Sequence, residues 1–192
     1  MAFDRSYYQR FYFDPRTAVT TRTQVARRAR LVAAALRYLD LPVRSILDAG
    51  CGVGAMRAPL LRALPGARYL GLEVSDYLCA RYGWKQGAIQ DFRSRQRFDL
   101  VICDDVLQYL DDRAARRALR ALARACRGAL FFGALTEEDW NGNCDRAATD
   151  ETPWIRPAEW YRKELRRSFT PAGCGVWIRL GTPVVLWELD RG

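Results

Sequence analysis

Apolar residues along this chain follow two spacings that alternate with each other. Between positions 21 and 39 they recur every three or four residues, which predicts an amphipathic helix that Thr21 or Thr23 can cap and that ends before Pro42. Short apolar runs bounded by turn residues predict strands at 44–50, 67–74, 87–92, 97–105 and 128–135. Helical spacing between those runs predicts helices at 56–64, 76–82 and 113–126. This alternation predicts a parallel sheet with helices on both faces.

The carboxyl-terminal part follows another pattern. A polar stretch at 136–153 predicts a loop, because no apolar periodicity runs through it, and the segment 157–169 predicts one more helix. Two apolar runs at 175–180 and 184–189 are separated by a short glycine-proline turn, which predicts adjacent antiparallel strands. We therefore expect an α/β doubly wound sheet of about seven strands, mostly parallel, with a C-terminal antiparallel hairpin.

Length and composition limit the class of protein. The 192 residues fit one domain spanning 1–192, within which we separate an aromatic N-terminal arm (1–20) and the loop 136–153. No apolar run approaches the ~20 residues that cross a bilayer. The first residues also lack the apolar core of a signal peptide. We therefore expect a cytoplasmic protein with no membrane partner.

The ionisable residues narrow the chemistry. The chain has no histidine, which removes the commonest general base and the Ser-His and Cys-His nucleophile pairs. Its six cysteines include no Cys-x-x-Cys pair, so we expect neither a structural zinc site nor a disulfide framework, and we predict no metal site. The formal net charge of +9 suggests nucleic acid as a partner. The arginines are spread over helical faces instead of alternating with exposed aromatic residues, so this partner stays open but is not favoured.

Three glycines at alternate positions follow the first predicted strand, in the segment 46–54 (ILDAGCGVG). In a doubly wound sheet a ligand binds beyond the carboxyl end of this strand. Gly50 allows a tight turn, Gly52 lets the backbone approach a ligand, and Gly54 allows close contact with the following helix. The amino end of that helix offers unpaired N–H groups to an anionic part of the ligand.

Acidic residues close the next three strands. Glu73 lies 19 positions after the last of these glycines, where a carboxylate can accept hydrogen bonds from both hydroxyls of a ribose. Asp91 can accept a hydrogen bond from an adenine amine while Phe92 covers the ring. Asp104 and Asp105 end the fourth strand beside the same crevice, although either residue can instead cap a helix.

With these residues, the chain resembles the class I S-adenosylmethionine-dependent methyltransferases over about residues 20 to 190, and ILDAGCGVG matches the most specific motif of that family. The resemblance implies a Rossmann-like fold, with S-adenosylmethionine as cofactor and S-adenosylhomocysteine as product. It implies that the glycine loop contacts the methionine and ribose parts of the cofactor. The cofactor-binding residues that we expect are Asp48, Gly50, Cys51, Gly52, Gly54, Glu73, Val74, Asp91, Phe92, Asp104 and Leu107. Asp48 can also act only through hydrogen bonds that shape the loop.

Catalytic and acceptor residues are harder to assign. Methyl transfer from a sulfonium is an in-line displacement, and a general base helps only where the acceptor must lose a proton. Without histidine, the candidate bases are Asp105, Tyr109 and Asp139. The substrate-binding residues that we expect are Tyr8 and Tyr12 of the arm, interpreted as a lid, and Trp140 and Trp154 near the loop 136–153. The acidic residues of that loop favour an amine acceptor, unless they only keep it solvated.

The sequence favours an enzyme that moves a methyl group from S-adenosylmethionine to a small-molecule acceptor. An RNA or protein methyltransferase is the alternative if a continuous arginine surface flanks the crevice. A catalytically silent protein that binds the cofactor for regulation is an alternative of another class. A nicotinamide-dependent oxidoreductase is disfavoured, because the glycines follow a GxGxG spacing instead of GxGxxG.

Overall fold

A sheet of seven strands is the centre of the structure, a computed structural model that describes residues 3–14, 16, 20–145, 149 and 154–190. The strand order is β3-β2-β1-β4-β5-β7-β6. The first five strands of this order run parallel, whereas β7 pairs antiparallel with both β5 and β6. The strands are β1 (Ser45–Ala49), β2 (Arg68–Glu73), β3 (Lys85–Gln86), β4 (Phe98–Asp104), β5 (Cys126–Gly133), β6 (Phe169–Pro171) and β7 (Val176–Arg179). The expected α/β fold, mostly parallel with a C-terminal antiparallel pair, is confirmed.

Helices connect the strands and cover both faces of the sheet. They are α1 (Arg5–Tyr8), α2 (Arg22–Tyr38), α3 (Arg57–Ala63), α4 (Asp76–Tyr82), α5 (Asp112–Ala125), α6 (Glu137–Gly142) and α7 (Ala158–Leu165). A π-helical turn (Gln9–Phe13) continues α1, and short 3₁₀ turns span Ile89–Asp91, Leu107–Tyr109 and Glu188–Asp190. None of the described helices is both long enough and apolar enough to cross a membrane.

Alternate side chains of the central strands build two cores, one on each face. Ile46 of β1 packs in the core that α2 and α3 cover, whereas its neighbour Leu47 packs in the core beneath α5 and α7. Both residues are almost completely buried. Burial on both faces explains why β1 and β4 are continuous apolar runs in the sequence. Because β1 and β4 run parallel, their polar carboxyl ends meet at one edge of the sheet, where the candidate site lies.

The third strand, β3, precedes the predicted run 87–92, which itself contains no strand. Only Lys85–Gln86 pairs with β2, and Ile89–Asp91 forms a 3₁₀ turn where the apolar run predicts a strand. The chain leaves the sheet at Gly87, whose φ of +157° favours glycine. Ile89 and Phe92 are buried in the core beneath α5, so the apolar run records core packing and not pairing in the sheet.

The C-terminal antiparallel pair uses other residues than the sequence predicts. The run 175–180 does contain β7, but its antiparallel partner is β6, which precedes it and overlaps the end of the predicted helix 157–169. The run 184–189 forms no strand. Val184 and Leu186 pack against the core, whereas Val185 and Trp187 are exposed. This alternation resembles that of a strand, because one face is buried although the backbone has no strand partner.

The polar stretch after β5 is partly helical, contrary to the prediction of a loop without structure. Helix α6 begins after Thr136, whose hydroxyl accepts a hydrogen bond from the Asp139 N–H (3.2 Å). The sequence contains this cap, Thr followed three positions later by Asp, but the short helix lacks an apolar face that periodicity can detect. Residues 146–148 and 150–153 of the predicted loop lie outside the described residues.

Candidate active site

The glycine loop turns sharply at the end of β1. The N–H groups of Gly50 and Cys51 both donate hydrogen bonds to the Leu72 carbonyl, at 2.8 and 3.1 Å, which fastens the loop to the neighbouring strand. Gly50 has a φ of +79°, and a Cβ there would lie 2.4 Å from a methyl carbon of Val106. Only glycine fits this position, so the loop can press closely against the segment after β4.

Glu73, at the end of β2, is the best-held carboxylate of the site. Its side chain accepts hydrogen bonds from three backbone N–H groups, those of Gly52 (2.8 Å), Val74 (2.9 Å) and Ser75 (3.0 Å), and the residue is only 4% exposed. Three donors fix the orientation of the two carboxylate oxygens and leave about one of their four lone-pair sites, on Oε2, for a ligand. The position of Gly52 is open on the ligand side, since a Cβ there would meet no atom within 4 Å.

A crevice of about 190 Å³ opens between the glycine loop and the residues that follow β2, β3 and β4. Exposed Val74, half-buried Gln90 and buried Ile89 line it after β2 and β3, and Asp105 and Val106 line it after β4. The described residues that line it include two carboxylates but no lysine or arginine. They are Phe3, Tyr7, Tyr8, Tyr12, Gly50, Gly52, Glu73, Val74, Gly87, Ile89, Gln90, Asp105, Val106, Tyr109 and Leu110.

The aromatic N-terminal arm covers this crevice. The hydroxyl of Ser75, the cap of α4, donates a hydrogen bond to the Phe3 carbonyl (2.5 Å). The hydroxyl oxygens of Tyr7 and Tyr109 lie 3.3 Å apart, so the arm also contacts the segment after β4. Burial raises the pKa of Tyr8, with a further contribution from the charge of Glu73, and burial likewise raises the pKa of Tyr12. Both phenols therefore stay neutral.

A second pocket, of about 280 Å³, continues from the first past Gly50, Gly52, Tyr12 and Asp105. Its floor holds a salt bridge between Arg28 of α2 and Asp104. Burial, together with the neighbouring Asp105, raises the pKa of Asp104 to about 6, although Arg28 opposes this shift. The pocket therefore offers one cation and one carboxylate side by side.

Asp48 lies beneath the glycine loop, at the edge of the second pocket. It accepts a hydrogen bond from the Tyr69 hydroxyl and is almost completely buried. Burial raises the pKa of Asp48 to about 7, and the nearby charges of Asp104 and Glu73 add to the shift while Tyr69 opposes it.

Most of the expected cofactor-binding residues meet at these two pockets. They are Asp48, Gly50, Cys51, Gly52, Glu73, Val74 and Asp104, together with the catalytic candidates Asp105 and Tyr109 and the arm residues Tyr8 and Tyr12. Strand ends far apart in sequence converge there because parallel strands present their carboxyl ends at the same edge.

Four of the expected cofactor-binding residues, Asp91, Phe92, Leu107 and Gly54, line neither the crevice nor the second pocket. The Asp91 side chain is 64% exposed and forms a salt bridge with Arg117 of α5 (2.7 Å). Phe92 and Leu107 are buried in the core beneath α5. In the 3₁₀ turn, successive side chains diverge by about 120°, so Gln90 faces the crevice and Asp91 faces away from it.

Gly54 has a different neighbour from the one expected. A Cβ at Gly54 would lie 2.4 Å from the ring of Trp84, so this glycine makes room for an indole and not for a ligand. Neither the crevice nor the second pocket is lined by Gly54.

The acceptor and base candidates after β5 lie elsewhere. Asp139 accepts hydrogen bonds from the Thr136 hydroxyl (2.7 Å) and the Asn143 amide (3.1 Å), and it lines a separate pocket with Tyr161 and Trp177. Trp140 belongs to the same short helix, α6, and Trp154 is more than half exposed at the far end of the segment. The structure brings none of these three residues to the crevice.

Several lining residues were not identified from the sequence. Gln24 and Arg28 lie one turn apart on α2. In the sequence they differ from other helix residues only as two polar residues beside the apolar positions. Phe3, Tyr7 and Gln90 had no distinguishing signal beyond the aromatic arm and the neighbouring strand end. Within the described residues, no group of three His, Cys, Asp or Glu side chains is arranged to hold a metal ion.

Comparison with known proteins agrees with this geometry. Residues 47–128, which include the glycine loop, Glu73 and Asp105, match a family model described as a methyltransferase domain. A trans-aconitate 2-methyltransferase from Deinococcus radiodurans is 34% identical over 81 residues, which cover 38% of this chain and 31% of that relative. A malonyl-[acyl-carrier protein] O-methyltransferase from Magnetococcus marinus is 29% identical over 139 residues, 63% of this chain and 50% of the relative.

The chain thus spans about a third to a half of the length of these two curated relatives. Among solved structures, magnesium protoporphyrin IX methyltransferase (ChlM) from Synechocystis PCC 6803 with bound S-adenosylmethionine superposes with a TM-score of 0.60. The match covers 91% of this chain and 94% of that chain at 20% identity, so it shows a shared fold. Residues 47–128, with the glycine loop at their start, are thus similar to a methyltransferase domain, and the sheet has the fold of the matched structure.

Proposed function

We propose that residues 1–192 act as one methyltransferase domain that binds S-adenosylmethionine in the crevice and transfers its methyl group to a small-molecule acceptor. The observation that carries this proposal is the pairing of Gly52 with Glu73. The loop backbone is open to a ligand at Gly52, and its N–H orients a buried carboxylate toward the same space.

The two pockets fit the two ends of this cofactor. Glu73 would accept a hydrogen bond from a ribose hydroxyl through Oε2, and Ile89 and Gln90 would contact the adenine. At the other end, Arg28 would bind the carboxylate of the methionine part and Asp104 its ammonium group, because the salt bridge places opposite charges side by side. Gly50 and Gly52 line both pockets, which matches a ligand that passes along the loop.

When bound, the cofactor supplies a methyl group on a sulfonium. The chain contributes position and exclusion of water, which supply most of the acceleration of an in-line displacement. The arm residues Tyr7, Tyr8 and Tyr12 would exclude water from above. Asp105 and Tyr109 lie at the crevice and would orient the acceptor or take its proton, whereas Asp139 lies too far from the crevice to do so.

For the acceptor we favour an amine or another uncharged nucleophile. The described lining of the crevice carries Glu73 and Asp105 but no lysine or arginine, and a carboxylate acceptor would meet repulsion there. The names of the two curated relatives suggest a carboxylic acid as the second candidate. The acidic segment after β5 does not support the amine proposal, since its described part lines another pocket.

Calorimetry with S-adenosylmethionine, S-adenosylhomocysteine and NAD tests cofactor binding. We expect the first two to bind and NAD not to bind. Glu73→Gln should weaken binding by about 1–3 kcal/mol, because a charged acceptor is lost where a ribose hydroxyl donates. The control is Glu164→Gln. Glu164 is a carboxylate on α7 that forms salt bridges with Arg116 and Arg167 and does not line the crevice. Equal affinity of Glu73→Gln and the wild type would refute the role of Glu73.

A panel of matched amines, phenols and carboxylic acids tests the acceptor, with methyl transfer followed by mass spectrometry. Asp105→Asn is the informative variant, because asparagine tolerates the left-handed φ of +56° at this position. We expect turnover of amines, reduced at least several-fold in this variant. Turnover of carboxylic acids alone would contradict the amine proposal. Binding without turnover of any compound, RNA or protein would instead favour a silent regulatory protein.

A further inference from the structure

Trp84, between α4 and β3, contacts the glycine loop from the side opposite the crevice. Its indole N–H donates a hydrogen bond to the Gly52 carbonyl (3.0 Å). The ring centroids of Tyr69 and Tyr82 lie 6.0 and 5.8 Å from the centroid of Trp84, and the Arg57 guanidinium lies 5.6 Å from it. The indole is therefore held on several sides, so that its N–H has a fixed direction.

Both polar backbone groups of Gly52 are thus bonded to side chains. Its N–H donates to Glu73 on the crevice side (2.8 Å), and its carbonyl accepts from Trp84 (3.0 Å). Gly52 has a φ of +51°, and a Cβ there would meet no atom within 4 Å. The two hydrogen bonds are what orient its peptide groups.

Two further glycines leave room for the same indole. A Cβ at Gly54 would lie 2.4 Å from the Trp84 ring, and a Cβ at Gly71 of β2 would lie 2.7 Å from it. The indole therefore fills the space between the loop and β2, where no larger residue fits at either glycine. Since Trp84 lines neither the crevice nor the second pocket, it has no direct contact with a ligand bound there.

We propose that Trp84 is a positioning residue, which orients the Gly52 backbone and, through its N–H, the carboxylate of Glu73 for the ribose of the cofactor. The proposal rests on the proposed function of this crevice. Without the indole N–H, the Gly52 carbonyl would lose its partner, and the loop would sample orientations in which its N–H no longer reaches Glu73.

The test compares Trp84→Phe with the wild type by calorimetry with S-adenosylhomocysteine. Phenylalanine keeps an aromatic ring against Gly54 and Gly71 but lacks the donor. We expect roughly 2- to 12-fold weaker binding, the fold-change that corresponds to one net hydrogen bond. Trp160→Phe, on α7 against Arg116 and Arg156, controls for the loss of an indole and should leave affinity unchanged.

A double-mutant cycle with Glu73→Gln separates positioning from packing. If Trp84 acts through Gly52 on Glu73, the loss of affinity in the double variant is smaller than the product of the single losses. In a control cycle that combines Trp160→Phe with Glu73→Gln, the fold-losses of affinity of the two single variants should multiply in the double variant. Independent effects of Trp84→Phe and Glu73→Gln would overturn the proposal. If Trp84→Phe does not fold, Trp84→Met fills the same space without a donor and replaces it in the cycle.

Amide hydrogen exchange in the absence of ligand provides a readout that does not depend on the proposed function. The Gly52 amide should exchange faster in Trp84→Phe than in the wild type, while amides of β5 are unchanged. Unchanged exchange at Gly52 would overturn the positioning role. Failure of the wild type to bind S-adenosylhomocysteine would instead refute the proposed function and leave the exchange result to decide the role of Trp84 in the loop.

Discussion

Gly50 and Gly52 have the same backbone preference but different surroundings. Both have positive φ, +79° and +51°, which costs an L-residue about 1 kcal/mol or more. A side chain at Gly50 would collide with Val106, whereas a side chain at Gly52 would project into open space on the ligand side. The first glycine is therefore required by packing, and the second by the ligand that we propose.

The variants Gly50→Ala and Gly52→Ala should separate these two requirements. We expect Gly50→Ala to lower the midpoint of thermal unfolding more, because strain and the collision with Val106 add. Gly52→Ala should lose only about 1–2 kcal/mol of stability but should bind S-adenosylhomocysteine at least tenfold more weakly. Thermal unfolding and calorimetry on both variants give the comparison. A Gly52→Ala variant with normal affinity would show that no ligand approaches this backbone.

Single residues at the strand ends show where prediction from sequence stops. Glu73 lies at the crevice, as the sequence predicts. The number of residues between the glycines and Glu73 corresponds to one helix followed by one strand, and Glu73 ends that strand. Asp91 was not, since a 3₁₀ turn replaces the expected strand and rotates its carboxylate toward Arg117. A turn of three residues leaves no periodic signal, so the choice between Gln90 and Asp91 depended on tertiary structure.

At the scale of elements, residues 5–13 of the aromatic arm form a short helical segment. Asp4 caps α1 by accepting a hydrogen bond from the Tyr7 N–H (3.0 Å), and the π-helical turn Gln9–Phe13 follows directly. Tyr8 is buried, and its ring stacks on Tyr77 of α4 at 6.4 Å. The arm therefore packs on the elements that flank the crevice, as a lid over it requires.

If the arm is a lid, Tyr8→Ala should shorten the residence time of the bound cofactor. Loss of the buried ring would weaken the contact with α4, so we expect dissociation of S-adenosylhomocysteine to be several-fold faster. Stopped-flow displacement monitored by intrinsic fluorescence measures this rate. Tyr38→Ala removes a tyrosine that is 67% exposed at the end of α2 and should leave the rate unchanged. Equal rates in all three proteins would mean that the arm only covers the core.

At the scale of the whole molecule, converging strand ends bring like charges together. Asp48, Glu73, Asp104 and Asp105 come from three strand ends and surround one loop. Burial opposes the ionisation of two of them, so the pKa of Asp48 rises to about 7 and that of Asp104 to about 6. The folded chain therefore holds protons that the unfolded chain releases near pH 4.

This retention of protons predicts that stability falls as pH rises from about 4 to 7. In that range the folded state binds more protons than the unfolded state, so the free energy of unfolding falls, by up to about 1.4 kcal/mol per pH unit for each such group. Asp48→Asn should reduce this slope. Asp40→Asn, at an exposed position after α2, should not change it. Urea unfolding at several pH values measures the slopes, and equal slopes in Asp48→Asn and the wild type would contradict the prediction.

The sequence by itself determined the alternation of strands and helices up to residue 134 except at the run 87–92, and it located the glycine loop and Glu73 at strand ends. These features depend on local periodicity and on glycine backbone freedom, which are properties of short segments. Tertiary structure decided which apolar runs pair in the sheet, as β6 and the unpaired run 184–189 show. It also decided that Arg28 and Trp84 lie beside the loop while Asp139 does not, because contacts between distant segments depend on how the helices pack on the sheet.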